Sequence, residues 1–161
     1  IDLSKQIDDN KTLNSSHKKK VLNGLENMIN DANILTSSNH HVKDTTKKYE
    51  CLRRYKAHDY RIVYRVSSAV GLSKIYGRPM NVIYPIMVFY GATDDKKDDY
   101  KKSKQIYDSV SQDIERNISI MNSDDYKKIS RIVKEQAIKM KEFIESTGKN
   151  VNYELGGMGG K

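Results

Sequence analysis

The sequence predicts an α+β domain: an N-terminal helical hairpin packed on a small antiparallel β-sheet, followed by a C-terminal helical extension. Three observations predict it. Apolar residues recur at helical spacing as far as Ile34, the period falls to two over 49–66, and helical spacing returns after residue 94. Helices and strands are thus segregated along the chain rather than alternating, and no internal repeat is present. A length of 161 residues suits one domain, or one small domain with an extension.

The elements follow in order. IDLSKQIDDN (1–10) reads as a short helix with Ile1, Leu3 and Ile7 on its apolar side. Across the polar link KTLNSS, the stretch HKKKVLNGLENMINDANI (17–34) spaces Val21, Leu25, Met28 and Ala32 along one helical face, widened by Leu22 and Ile29. Ser15 or Ser16 is the expected cap, and Gly24 is expected to weaken the helix slightly. TSSNHHVKDTTKK has no period and reads as a loop.

YECLRRYK (49–56) and DYRIVYRV (59–66) then read as an antiparallel hairpin turning at Ala57-His58. On its second strand Tyr60, Ile62, Tyr64 and Val66 face one side, and Arg61, Val63 and Arg65 the other. NVIYPIMVFYG (81–91) is the most apolar window and is expected as the central strand, with a bulge or irregularity at Pro85, which lacks a ladder donor. The connection SSAVGLSKIYGRPM is expected as an extended hairpin arm or a mobile loop.

After residue 94, Tyr107, Val110, Ile114, Ile118 and Met121 form one helical stripe. Ser123-Asp124-Asp125 caps the next helix, whose stripe is Tyr126, Ile129, Val133, Ala137, Met140 and Ile144. Gly148 reads as its stop, and the Gly-rich segment NVNYELGGMGGK as flexible.

Lys and Arg number 29 against 21 Asp and Glu, a net charge of +8 with a pI near 9.4, and 11 of the aromatics are Tyr with no Trp. Such a chain is drawn to phosphates or acidic partners. No apolar run reaches the roughly 18 residues of a membrane span. The single cysteine, Cys51, excludes an intrachain disulfide and suits a reducing, cytoplasmic location; it reads as a small core residue of a strand. Ile1 is not an initiator Met, and no apolar signal core follows Lys5, so the first residues are expected to be missing.

No cofactor or metal is expected. The neighbouring His40 and His41 diverge, no Cys/His framework accompanies them, and phosphate-loop, dinucleotide and nucleophile-elbow motifs are absent from the sequence. The basic hairpin is more informative. Residues 43–65 hold eight cations and three carboxylates, so more than half of the excess charge falls on 23 residues. Arg54 and Lys56 share a face of the first strand, and Arg61 stands across from them. A fixed cationic sheet surface suits an RNA or DNA phosphate; the alternative is a solvated face answering Asp94, Asp95, Asp98 and Asp99.

The order of helices, polar loop, YECLRRYKAHDYRIVYRV, apolar strand and Tyr-bearing helix start resembles the RelE/ParE superfamily of bacterial toxins. DYRIVYRV (59–66) is the most specific match, similar to the family's strand of form (G/D)-Y-R followed by two hydrophobic residues, Tyr, any residue and a hydrophobic one. The resemblance covers residues 1–108, which it makes the toxin domain, and leaves 109–161 as the extension. Family members carry a first strand ahead of the helical hairpin, which here would precede Ile1.

The resemblance implies a type II toxin held by a cognate acidic antitoxin. In the RelE branch it cuts mRNA on the ribosome without a metal; in the ParE branch it poisons DNA gyrase. Arg61 falls on the family's phosphate-stabilising arginine, and Arg54 on a strand lysine that helps activate the nucleophile. Lys56 is a further cation, and Tyr100 falls near a tyrosine that stacks on or orients the substrate. Leu52 occupies the family's second basic position, and Gly91-Ala92-Thr93 offer no acid where the family places an Arg or His. Lys96 or Lys97 could substitute if the turn folds back, and His58 is another candidate acid/base. A non-catalytic basic binding protein of a mobile element is a further reading. The extension is expected to cover a sheet face that an antitoxin helix would otherwise occupy, or to form a homodimer through its helices.

Overall fold

In β2 (Tyr60–Ser68), aromatic and aliphatic residues alternate with basic ones, and this alternation sorts the chain into layers. A computed structural model of the protein describes residues 15–36, 51–91 and 96–146. The expected first helix, the polar loop with His40 and His41, and the Gly-rich segment lie outside the described residues. The fold is α+β, with β1 (Arg53–Ala57), β2 and β3 (Asn81–Tyr90) forming a three-stranded antiparallel sheet in that order. Among the described residues no helix is long and apolar enough to cross a membrane.

The expectation that 81–91 is the central strand is corrected: β2 is central, and β3 is an edge of the described sheet. The unbroken hydrophobicity of β3 arises because helices cover both of its faces. An edge also accommodates Pro85, and the pairing shifts register between Val63 and Tyr64, where Tyr64 meets Pro85. That is the irregularity the proline predicts. The hairpin turn lies at His58-Asp59, one residue later than expected, because β1 extends through Ala57.

On one face, Tyr60, Ile62, Tyr64 and Val66 pack with Val21, Leu22, Leu25 and Met28 of α1 (Ser15–Asn30). Gly24 is the point of closest approach: a Cβ there would lie 2.5 Å from Ala57 Cβ. On the other face, α3 (Lys96–Met121) lays Tyr107, Ile114, Ile118 and Met121 over Val63, Tyr84, Ile86 and Phe89. Helix α3 runs unbroken through 108 and 109, and residues on both sides of that point share one core. Cys51 is half-buried against this core, just before β1 rather than within a strand.

The connection 67–80 is neither an extended arm nor a loose loop but holds α2 (Val70–Tyr76). Gly77, at φ 67°, stops it and donates its N–H to the Ser73 carbonyl. The Ser73 hydroxyl donates to the Ala69 carbonyl at 2.6 Å and accepts the Met80 N–H at 2.8 Å, closing the segment. Asn122 then ties α2 to the end of α3, accepting the Val70 N–H at 2.9 Å and donating to the Ser68 carbonyl at 2.9 Å. Gly71 permits this contact, since a Cβ would meet the Ser123 carbonyl oxygen at 2.0 Å. Helix α4 (Tyr126–Ser146) buries Ile129 and Ile132; Tyr126, placed by sequence on the apolar stripe, is instead 47 % exposed.

Candidate functional site

Register brings three of the sequence-predicted cations together. Lys56 pairs with Arg61 across β1 and β2, and Arg61 pairs with Phe89 across β2 and β3. These three form one cross-strand row, and strand alternation puts Arg54 on the same face, two residues along from Lys56. Tyr100, near the start of α3, stands edge-on to Phe89 with ring centroids 5.1 Å apart. Its hydroxyl is raised above the usual phenol range by burial, while the charges of Arg54 and Arg61 pull it the other way. Arg54, Arg61 and Tyr100 are therefore within electrostatic reach of one another.

The three cations differ in exposure. Lys56 is exposed and Arg61 half-buried, but Arg54 is only 5 % exposed. No carboxylate among the described residues forms an ion pair with Arg54 or Arg61. An arginine packed this deeply, with no ion-pair partner among the described residues, favours an anionic partner at its guanidinium. Of the acidic run that these cations could answer, Asp94 and Asp95 lie outside the described residues, while Asp98 is exposed and Asp99 half-buried at the start of α3.

The backbone of the hairpin turn orients Arg61. Its Nη1 donates to the carbonyls of His58 and Tyr60, each at 3.0 Å. His58 holds φ 56°, a left-handed conformation that a side chain disfavours, and its imidazole is exposed. What His58 contributes to Arg61 here is its carbonyl. Arg61 also lies over Gly91, where a Cβ would meet its Cγ at 2.6 Å and its Cζ at 3.0 Å. The Gly91 N–H donates to the Asp59 carbonyl at 2.6 Å, fixing the end of β3 against the turn. Thus Gly91, which offers no acid, instead provides the shelf on which Arg61 rests. The side chains of Lys96 and Lys97 lie outside the described residues.

Phe89 is not identifiable as a site residue in the sequence, since it carries no polar chemistry, and Gly91 is marked there only as lacking an acid. A third group behind the site was equally hidden. Arg65 donates to Glu115 through Nε at 2.9 Å and Nη2 at 3.4 Å, and Tyr107 donates its hydroxyl to the same carboxylate at 2.7 Å. Burial alone would raise the Glu115 carboxyl, but the bonds from Arg65 and Tyr107 outweigh it and hold it below the usual range. Burial, then the bond to Glu115, then the neighbouring Cys51 push the Tyr107 hydroxyl up. This network locks α3 to β2 and so fixes where Tyr100 stands.

Chemically, the site offers two guanidiniums that stay protonated, an exposed amine and a phenol on a rigid sheet. Among the described residues no group of three or more His, Cys, Asp or Glu side chains is placed to hold a metal ion. Comparison with protein-family models, with curated proteins and with solved structures gave no match.

Proposed function

We propose that the chain is a RelE/ParE-like toxin of a type II toxin–antitoxin system, acting as a metal-independent endonuclease on ribosome-bound mRNA. The observation that carries this reading is Arg54: a buried arginine without an ion-pair partner among the described residues, on the same sheet face as Lys56 and Arg61 and close to Tyr100. In the reaction, the ribose 2′-oxygen attacks the adjacent phosphorus and the bond to the 5′-oxygen breaks. The products are a 2′,3′-cyclic phosphate and a free 5′-hydroxyl. Arg54 and Arg61 stabilise the negative charge on the pentavalent phosphorane. Lys56, in its free-amine form, accepts the 2′ proton and becomes an ammonium, and the Tyr100 phenol supplies one to the leaving oxygen and becomes a phenolate. The cellular partner is an acidic antitoxin whose carboxylates neutralise the same cations.

Expression of the chain is expected to arrest growth and leave mRNAs cut within codons, and Arg61→Ala to abolish both. Uncut mRNA together with an equally toxic Arg61→Ala variant would sink this reading. A second reading, a ParE-like gyrase inhibitor, is favoured by the space over Gly91, which Arg61 fills where a nuclease of the family carries an acid. DNA-damage induction with intact mRNA selects it.

A further inference from the structure

The outward face of α4 has a composition that packing does not explain. Ile129 and Ile132 turn into the core, while Tyr126, Lys127, Ser130, Arg131 and Lys134 are all exposed on the other side. These five residues line a shallow, open depression of about 480 Å³. The carboxylates that begin the helix are already engaged. Asp124 pairs with Lys74 at 3.1 Å; Asp125 pairs with Lys128 at 3.7 Å and caps the Lys128 N–H. Among the described residues no carboxylate pairs with Lys127, Arg131 or Lys134, although Glu135 lies exposed one residue away.

Three cations outnumbering the one exposed carboxylate near them, Glu135, stand beside an exposed phenol ring and form the two parts of a single-strand platform: charge for the phosphates and an aromatic face for a base. An apolar partner helix would leave these cations desolvated, so it fits the face poorly. The surface is also remote from the sheet site, since α3 alone carries the chain about 30 Å from Tyr100 to Met121 at 1.5 Å per residue. A strand engaged at one place and held at another gains affinity through effective concentration.

We propose that this face of α4 is a second, sequence-independent binding surface for single-stranded RNA, with Tyr126 stacking on a base and Lys127, Arg131 and Lys134 tracking the backbone. The choice of RNA over other polyanions rests on the reading of the sheet site given above. The test measures binding of a fluorescent 12-nucleotide oligouridylate to the full chain across a salt series. The triple variant Lys127→Ala, Arg131→Ala, Lys134→Ala is expected to flatten the slope of log affinity against log salt by about 2, at roughly 0.7 per phosphate contact. Tyr126→Ala is expected to weaken binding by about 5- to 100-fold without changing that slope.

Both sets lie on an exposed helix face, and circular dichroism of each variant checks that the fold is kept. Wild-type affinity and slope in the triple variant overturn the proposal. So does displacement of the oligonucleotide by a Glu-rich peptide at lower concentration, which would make the face a protein-docking surface. Arg61→Ala separates the two claims. If the α4 variants lose binding while neither wild type nor Arg61→Ala cuts RNA, the sheet reading fails and the α4 surface stands.

Discussion

Arg61 lies across Gly91 so closely that the smallest possible side chain at position 91 would enter the space of its Cγ, at 2.6 Å. The nearest atom, Cγ, is attached to the Arg61 Cβ, so the conflict is resolved only by swinging the whole Arg61 side chain to another rotamer. Gly91→Ala is therefore expected to cost about 1–3 kcal/mol of stability, the usual range for overpacking. It should also release Arg61 from the His58 and Tyr60 carbonyls and lower RNA cleavage nearly as far as Arg61→Ala does. Urea denaturation and cleavage measured on one preparation check both halves; unaltered cleavage would show that the shelf is dispensable.

Arg54 gives the opposite coupling of stability and activity. The residue is buried to 5 % exposure. Replacing even a paired buried charge by apolar side chains of similar volume is often neutral or stabilising, and Arg54 has no ion pair to lose among the described residues. Arg54→Met is expected to hold or raise the unfolding midpoint and to lose phosphate binding. A marked fall in stability would mean that the guanidinium has a structural partner.

Two glycines test how tightly the helices approach. In a helix interior, Gly→Ala ordinarily stabilises by about 1 kcal/mol. At Gly24 the new methyl would meet Ala57 Cβ at 2.5 Å, so the sign reverses and a net loss of about 1–2 kcal/mol is expected. At Gly71 it would meet the Ser123 carbonyl oxygen at 2.0 Å, a backbone atom held by the α3–α4 turn. Gly71→Ala should cost about 3 kcal/mol or more and expose α2 to protease.

The pH dependence follows from Glu115, whose carboxyl is held below its ordinary range in the folded chain. A depressed acid contributes stability that is fully present above its unfolded pKa, about 4.3, and is lost as pH falls through the folded value. Glu115 is 42 % exposed, so solvent screening leaves it no more than about 1 kcal/mol. Wild type is expected to lose stability below about pH 4.5, and Glu115→Gln to start lower and vary less over that window. Parallel curves for the two proteins would show that the carboxylate is not linked to folding.

The fold class was legible because the apolar period changes twice, and the hairpin because its two strands alternate cleanly. Strand order was not. Hydrophobicity reports how many faces of a strand are covered, and β3, covered on both, reads like a central strand while sitting at the edge. Helix α2 escaped notice because a 7-residue segment with Gly71 inside it has little intrinsic helicity. Ser73 closes the segment locally, but the contacts from Asn122 and the α3–α4 turn come from about 50 residues away.

At the site, alternation alone placed Arg54, Lys56 and Arg61 on one face, and resemblance suggested Tyr100. The burial of Arg54 ran against the usual exposure of arginine. Phe89 is visible only through register, which a sequence does not carry, and Gly91, marked by resemblance only as lacking an acid, shows its part as a shelf only in three dimensions.

The slip at Pro85 acts as a half-step in phase along β3. Before it, Val82, Tyr84 and Ile86 point toward α3; after it, Met87 and Phe89 do, so the parity of the inward positions changes within one strand. Paired at its present length without the slip, β3 would turn Phe89 toward α1 and present Tyr90 to Arg61 and Tyr100. Deletion of the unpaired Ile86 would instead restore regular alternation and leave Met87 and Phe89 on the α3 side. The aromatic floor beside Arg61 therefore depends on where β3 breaks step as much as on its amino acids.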